Sequence, residues 1–190
     1  MFGKKKTCPC CGEPLKYPKQ LVDGEICLKC AKFCNLSSLV QIEDVRGVIE
    51  QNHKRYNDFL ISLEYHTGPS GYFYVDIDKQ QCFYSDYKPL KMEPIVFAFN
   101  EVESVSFEML GQKTVSKSSG GIGRAVVGGA LFGPTGAIVG AATAGREEKQ
   151  VGGTPTFRLV LNLGKCKTEL TIFNPDQQTI VFINETFANK

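Results

Sequence analysis

Residues 71–85 read Gly71-Tyr72-Phe73-Tyr74-Val75-Asp76-Ile77-Asp78-Lys79-Gln80-Gln81-Cys82-Phe83-Tyr84-Ser85. Aromatic and aliphatic residues recur at a period of two on either side of Asp78-Lys79. The stretch therefore reads as strands Gly71 to Ile77 and Gln81 to Ser85 joined by a turn. The same period extends outward. It marks strands at Phe59 to Tyr65, Ile95 to Phe99, Val102 to Met109, Thr156 to Leu163 and Thr168 to Phe173. Gly68-Pro69-Ser70-Gly71, Lys88-Pro89, Asn100-Glu101 and Gly164-Lys165 separate them as turns.

Two helices frame the strands. Upstream, Ser37-Ser38 caps a connecting helix with Leu39, Ile42, Val45, Ile49 and Tyr56 on one side. Downstream, Asn174-Pro175-Asp176 reads as an N-cap with Pro at the first helical position, opening a helix that carries Ile180, Ile183 and Phe187. Seven short strands and a closing helix predict an α+β, mainly β fold. The expected body is a small antiparallel barrel or sandwich whose open end the helix plugs.

The 190 residues allow one domain with an appendage or two small domains, and exclude a large multidomain enzyme. Apolar residues at 42% and charged residues at 22% exclude a disordered, collagenous or coiled-coil chain. The outliers are 19 Gly and 8 Cys, and both cluster. The net charge of +2 hides an asymmetry, because residues 1–34 hold seven Lys against Glu13, Asp23 and Glu25. Such a basic head suits a phosphate-bearing surface, or is simply a solvated face.

The Cys cluster leads the chain. Cys8-Pro-Cys10-Cys11-Gly12 and Cys27-Leu-Lys-Cys30 give the spacing C-x2-C-x15-C-x2-C of a zinc ribbon or treble clef, with Cys8, Cys11, Cys27 and Cys30 as ligands. Each short loop aims two thiolates at one ion about 2.3 Å away. Gly12 relieves crowding after the first loop, and Asp23-Gly24 turns the chain back toward the second. Cys10 or Cys34 could replace a neighbour. Four thiolates leave no open position, so the zinc would be structural and would stabilise about 30 residues that cannot bury a core alone. No apolar run follows Met-Phe-Gly-Lys-Lys-Lys, so no signal peptide is read, and a reducing cytosol is expected.

The Gly cluster lies between two strands. Gly121, Ala125, Gly129, Gly133, Ala137, Ala141 and Gly145 place a small residue at every fourth position, the stripe by which helices approach closely in lipid. The 21 uncharged residues between Arg124 and Arg146 would span about 31 Å as one helix. A single crossing would put the strands before and after it on opposite sides of the membrane. Phe132-Gly133-Pro134-Thr135-Gly136 also favours a break. The expectation is a helical hairpin with arms near Ile122 to Gly133 and Thr135 to Gly145, each reaching about 15 to 18 Å. It would enter or lie on a membrane, or pack in water against itself, the body or a sister subunit; a glycine loop is the remaining reading. No phosphate-binding G-x-x-x-x-G-K-[ST] is present, and Gly121-x-Gly123-x-x-Val126 lacks the third Gly of a dinucleotide fingerprint.

The order of strands with a closing helix resembles a pleckstrin-homology-like (PH-like or GRAM-like) domain of the bacterial type. Cys8-x2-Cys11-Gly12, Asp23-Gly24-x2-Cys27-x2-Cys30 and Gly123-Arg124-Ala125-Val126-Val127-Gly128-Gly129 are similar to a family of bacterial and phage proteins in which a zinc-ribbon domain of unknown function precedes such a body. The resemblance implies the fold and supplies no activity. The expected organisation is a zinc ribbon over 1–36, a connecting helix over 37–58, a PH-like domain over 59–115 and 154–190, and a glycine-zipper insert over 116–153.

Catalytic residues are not apparent. His53 and His66 stand beside no nucleophile motif, and Cys82 and Cys166 read as core thiols. Asp76 with Asp78 and Glu101 with Glu103 read as turn and solvent-face residues before they read as acid–base pairs. Tyr72, Tyr74, Tyr84 and Tyr87 suit cross-strand packing. The functional expectation is a non-enzymatic adaptor on the cytosolic face. Its zinc is structural, its glycine hairpin mediates membrane association or self-assembly, and its basic surface of Lys4, Lys5 and Lys6 adds attraction to anionic lipid. The expected partners are a membrane surface, further copies of the chain and a protein not named by the sequence. The alternative is a nucleic-acid-binding regulator, for which seven Lys and no Arg in residues 1–34 are poor equipment for reading bases.

Overall fold

The protein is described by a computed structural model covering residues 6–69, 71–86, 93–111, 113–116, 148–151 and 153–187. It divides into two compact units, Met1–Glu108 with Pro155–Lys190, and Met109–Thr154.

The first unit opens with a short hairpin, β1 (Lys19–Gln20) and β2 (Glu25–Ile26), followed by helix α1 (Leu28–Ala31) and a 3-10 turn at Lys32–Cys34. Helix α2 (Ile42–Asn57) leads into β3 (Leu63–Thr67), β4 (Gly71–Asp76), β5 (Gln81–Ser85) and β6 (Phe97–Ala98), which form one four-stranded sheet in that order. After a 3-10 turn at Phe99–Glu101, β7 (Val102–Leu110) joins a three-stranded sheet whose order is β11-β10-β7. β8 (Lys113–Ser116) and β9 (Glu148–Val151) intervene in sequence before β10 (Thr154–Leu163) and β11 (Cys166–Phe173), and α3 (Gln177–Phe187) closes the order. Two open sheets and a closing helix make the mainly β sandwich that the strand periodicity predicts.

Alternation explains the main core. Phe73, Val75, Cys82, Tyr84 and Phe97 from one sheet meet Phe157, Leu159, Leu161 and Ile172 from the other, with Ile183 and Phe187 of α3. Phe182 of α3 packs on Tyr65, Phe73 and Phe99 at ring separations of 5.4, 5.9 and 6.0 Å. The opposite face of the four-stranded sheet is also covered. Tyr74, Phe83 and Val96 form a second cluster beneath Tyr56, Phe59 and Tyr72. Phe59 stacks edge-on to Phe83 at 4.8 Å, so it caps this cluster, and the strand expected to begin there starts at Leu63.

The helix starts differ from expectation. Gln41, not Ser37 or Ser38, precedes α2 and forms a capping box with Asp44, whose carboxylate accepts the Gln41 N–H at 3.1 Å. Ser37 faces Lys167, and Leu39 lies outside the helix, 87% exposed. At α3 the cap is Asp176, which accepts the Thr179 N–H at 2.7 Å and the Thr179 hydroxyl at 2.6 Å. Asn174 takes a left-handed φ of 47° and Pro175 bridges Thr67, so both lie before the helix.

Asp76 is a structural carboxylate. It is fully buried and accepts the N–H groups of Leu60 at 2.9 Å and Lys79 at 3.1 Å, with the Lys79 ammonium at 3.5 Å. Burial works to raise its pKa, but the two N–H groups and the Lys79 charge outweigh it and hold the carboxyl below its ordinary range. A depressed pKa gives stability that is present above the unfolded value of about 4 and is lost as pH falls through the folded value. Asp76→Asn is therefore expected to lower unfolding free energy at pH 7 by about 1 to 3 kcal/mol. Urea titrations should also show the variant losing less stability than the parent below about pH 4; parallel acid limbs would refute this assignment.

In the second unit β8 and β9 pair antiparallel, with Lys113 opposite Val151, Thr114 opposite Gln150, Val115 opposite Lys149 and Ser116 opposite Glu148. Among the described residues no helix is long and apolar enough to cross a membrane.

Candidate metal centre

The first Cys pair sits on a tight reversal. Thr7 bridges Pro14, the Cys8 N–H reaches Glu13 O at 2.7 Å, and the Gly12 N–H returns to Cys8 O at 2.8 Å. Gly12 has φ +75°, and a Cβ placed there would meet nothing within 4 Å. Its role is thus the left-handed backbone, not the relief of crowding expected from the sequence. The second pair is set by the β1–β2 hairpin and α1. Gly24 turns the hairpin beside Ile42, where a Cβ would lie 2.9 Å from the Ile42 Cδ1, and Asp23 accepts the Ile42 N–H at 2.8 Å. Cys27 is the residue before α1 and Cys30 lies within it, with the Cys30 N–H on Cys27 O at 3.1 Å. The hairpin thus leads directly into the second pair, with Cys27 at the N-terminus of α1 and Cys30 inside it.

Cys8, Cys11, Cys27 and Cys30 converge, with all four Sγ atoms within 4.8 Å of one another. The Cys8–Cys30 separation is 3.8 Å and the Cys11–Cys27 separation is 3.5 Å. Thiolates at about 2.3 Å from a tetrahedral centre stand about 3.8 Å apart, so the quartet is of the size such an ion takes. Of the other Cys, Cys10 is half-buried with its Sγ 3.9 Å from Ile42 O, and Cys34 is buried beneath the Lys19 ammonium, which donates to Cys34 O at 2.6 Å. Cys82 and Cys166 are fully buried in the core cluster.

The thiols are electrostatically unequal. Burial acts to raise the Cys8 pKa, but N–H groups of Cys27, Cys11 and Cys10 directed at its sulfur bring it down to about 6. Burial raises Cys30 and Cys11, and burial with the neighbouring Cys8 charge pushes Cys10 up to about 12. Four sulfurs this close cannot all ionise unless a cation stands among them, which is the condition a structural metal fulfils.

The other candidate residues do not form a reactive group. His53 lies against Glu93 at 3.1 Å and Asn57 at 3.0 Å, while His66 packs tilted against Tyr72 at a ring separation of 4.8 Å. Glu101 is paired with Arg55, Glu103 with Lys167 at 2.6 Å, and Tyr84 donates to Asp86. Lys6 is 3.6 Å from Glu25, whereas Lys4, Lys5 and Tyr87 lie outside the described residues.

Residues 61–182, well over half of the chain, match the family model described as a glycine zipper containing PH domain. The chain belongs to that family. No curated protein and no solved structure matches it. PH-like domains are generally binding modules, not catalysts. The zipper positions Gly121, Ala125, Gly129, Gly133, Ala137, Ala141 and Gly145 lie outside the described residues. What sequence reasoning missed in this PH chain is the β8–β9 ladder that flanks them; its short polar strands, Lys-Thr-Val-Ser and Glu-Lys-Gln-Val, carry little periodicity.

Proposed function

We propose that the protein is a non-enzymatic binding module of the cytosolic face. Cys8, Cys11, Cys27 and Cys30 hold one structural zinc, and the glycine-zipper segment forms a hairpin that mediates membrane association or self-assembly. The observation that carries the hairpin is the ladder register. Ser116 opposite Glu148 brings together the two ends of the stretch between them. A segment that leaves and returns through one ladder cannot cross a bilayer a single time. Charge supports a lipid surface, since residues 109–154 hold Lys113, Lys117, Arg124, Arg146 and Lys149 against Glu147 and Glu148 alone. Basic residues near an anionic leaflet contribute about 1 kcal/mol each, and Lys4 and Lys5 would add to this, Lys6 being paired with Glu25.

Zinc follows from the donor set. Four thiolates in a tetrahedron suit zinc, and a closed set of this kind holds the fold and performs no chemistry. The nucleic-acid alternative has less to work with than the Lys count suggests. Lys19 donates to Cys34 O and Asn35 O, Lys32 donates to Glu93 O, and Lys6 pairs with Glu25.

Deleting residues 121–145 tests the reading. Cell fractionation and light scattering should show loss of membrane partition or a drop in oligomer size, with the zinc content retained. A deletion that leaves both partition and size unchanged would sink it.

A further inference from the structure

Among the described residues β11 is an edge strand, because the order β11-β10-β7 leaves one of its sides without a neighbouring strand. Its register with β10 pairs Lys167 with Asn162 and Glu169 with Val160, and the backbone groups of Lys167 and Glu169 that point away from β10 are all taken. The Asn35 side chain serves Glu169 on both counts: its Nδ2 donates to Glu169 O at 3.2 Å and its Oδ1 accepts the Glu169 N–H at 2.9 Å. The Leu36 N–H donates to Lys167 O at 3.0 Å, and the Ser37 hydroxyl oxygen accepts the Lys167 N–H at 2.6 Å. Three consecutive residues thus stand in for a strand.

The cover is tied to the Cys quartet. Asn35 directly follows the 3-10 turn Lys32–Cys34, which itself follows α1 and Cys30. Lys19 of the β1–β2 hairpin clamps its start through Cys34 O at 2.6 Å and Asn35 O at 3.1 Å. Both clamps depend on the hairpin and α1 holding their places, and so few residues do not hold a fold without a cross-link or a metal.

We propose that β11 is a latent self-association edge, covered by Asn35–Ser37 while the Cys quartet holds its metal, and that a second copy of the chain pairs with it once the cover is released. This rests on the metal reading above. The occupant follows from the strand's charges. Antiparallel pairing of two β11 strands about Thr168 places Lys167 of each opposite Glu169 of the other, two reciprocal ion pairs across a two-fold axis that join the pairs these half-exposed groups already make with Glu103 at 2.6 Å and Arg158 at 3.4 Å. The same two residues supply the outward N–H and C=O groups that such a pairing uses, and an uncovered edge with these groups free is a template for another strand.

The test measures association of the full chain by light scattering, with zinc content determined on the same fractions. Stripping zinc with a chelator should strengthen association at least tenfold, and returning zinc should reverse it. Asn35→Ala with Ser37→Ala should do the same with zinc still bound. Adding Glu169→Lys to either sets Lys against Lys and should abolish the increment, which distinguishes edge pairing from the clumping of unfolded chains. The proposal is overturned if neither stripping nor the Asn35/Ser37 variant strengthens association, or if Glu169→Lys leaves the increment intact. A purified chain without zinc would defeat the metal reading by itself, and an Asn35/Ser37 variant that then associates no more tightly than its parent would overturn the edge pairing separately.

Discussion

Replacing Cys27 and Cys30 together by Ser is expected to abolish metal binding and to unfold the β1–β2 hairpin and α1, leaving the two sheets folded but less stable. The quartet is closed, so neither lost thiolate has a substitute in place: Cys10 is turned to Ile42 O and Cys34 is buried beneath Lys19. Structural zinc contributes on the order of 10 to 16 kcal/mol in small peptides. An entire domain is stable by only about 5 to 15 kcal/mol. The loss should also spread beyond the first 34 residues. Phe33, Cys34, Val40 and Val45 are buried in the same cluster as Phe73, Leu159 and Cys166, so the sheets lose packing partners when the Cys module opens. Elemental analysis should fall from about one zinc per chain to none, and the thermal transition should broaden and drop well below that of the parent. Retained stoichiometry, or an unchanged transition, would remove the metal from the account of this fold.

The Cys module and the central strands were legible because their signals are local. A C-x2-C spacing forces a tight loop whatever surrounds it, and the alternation across Asp78-Lys79 places Phe73 and Val75 on one face without reference to the rest of the chain. What escaped was set at a distance. Asn35 meets Glu169 across 134 residues, and no property of an Asn in a loop announces that its amide will stand in for a strand. Alternation also assigns one face to solvent, yet Tyr74, Phe83 and Val96 are buried on that face because α2 and Phe59 fold over it. Cap residues misled for a related reason. Ser37-Ser38 and Asn174 have the right chemistry, but their side chains and backbones serve β11 and the turn before α3, and Gln41 and Asp176 begin the helices instead. The glycine stripe was legible as a pattern, whereas the β8–β9 ladder was not, because its short polar strands carry little periodicity.

Glu101→Ala is expected to cost about 2 to 4 kcal/mol, because it leaves a largely buried Arg55 without its counter-charge. The two side chains are each 17% exposed and meet as a fork, Arg55 Nη1 to Glu101 Oε2 at 2.6 Å and Nη2 to Oε1 at 2.9 Å. Glu101 also accepts the Ala98 N–H at 2.8 Å, so its loss orphans a backbone donor as well. The pair fastens the end of α2 to the turn between β6 and β7, and α2 is what covers the outer aromatic cluster. Replacing both residues by Leu removes the stranded charge, and the residual loss should be about 1 to 2 kcal/mol from the unpaired Ala98 N–H. The double variant should therefore be more stable than Glu101→Ala alone. Urea unfolding of Glu101→Leu, Arg55→Leu and the double Leu variant measures the coupling directly, and additive losses would show that the fork contributes nothing beyond its separate parts. A carboxylate gripped by a guanidinium fork and a backbone N–H is fixed in place as part of the frame; strong coupling would therefore tie Glu101 to the architecture that holds α2 against the β6–β7 turn.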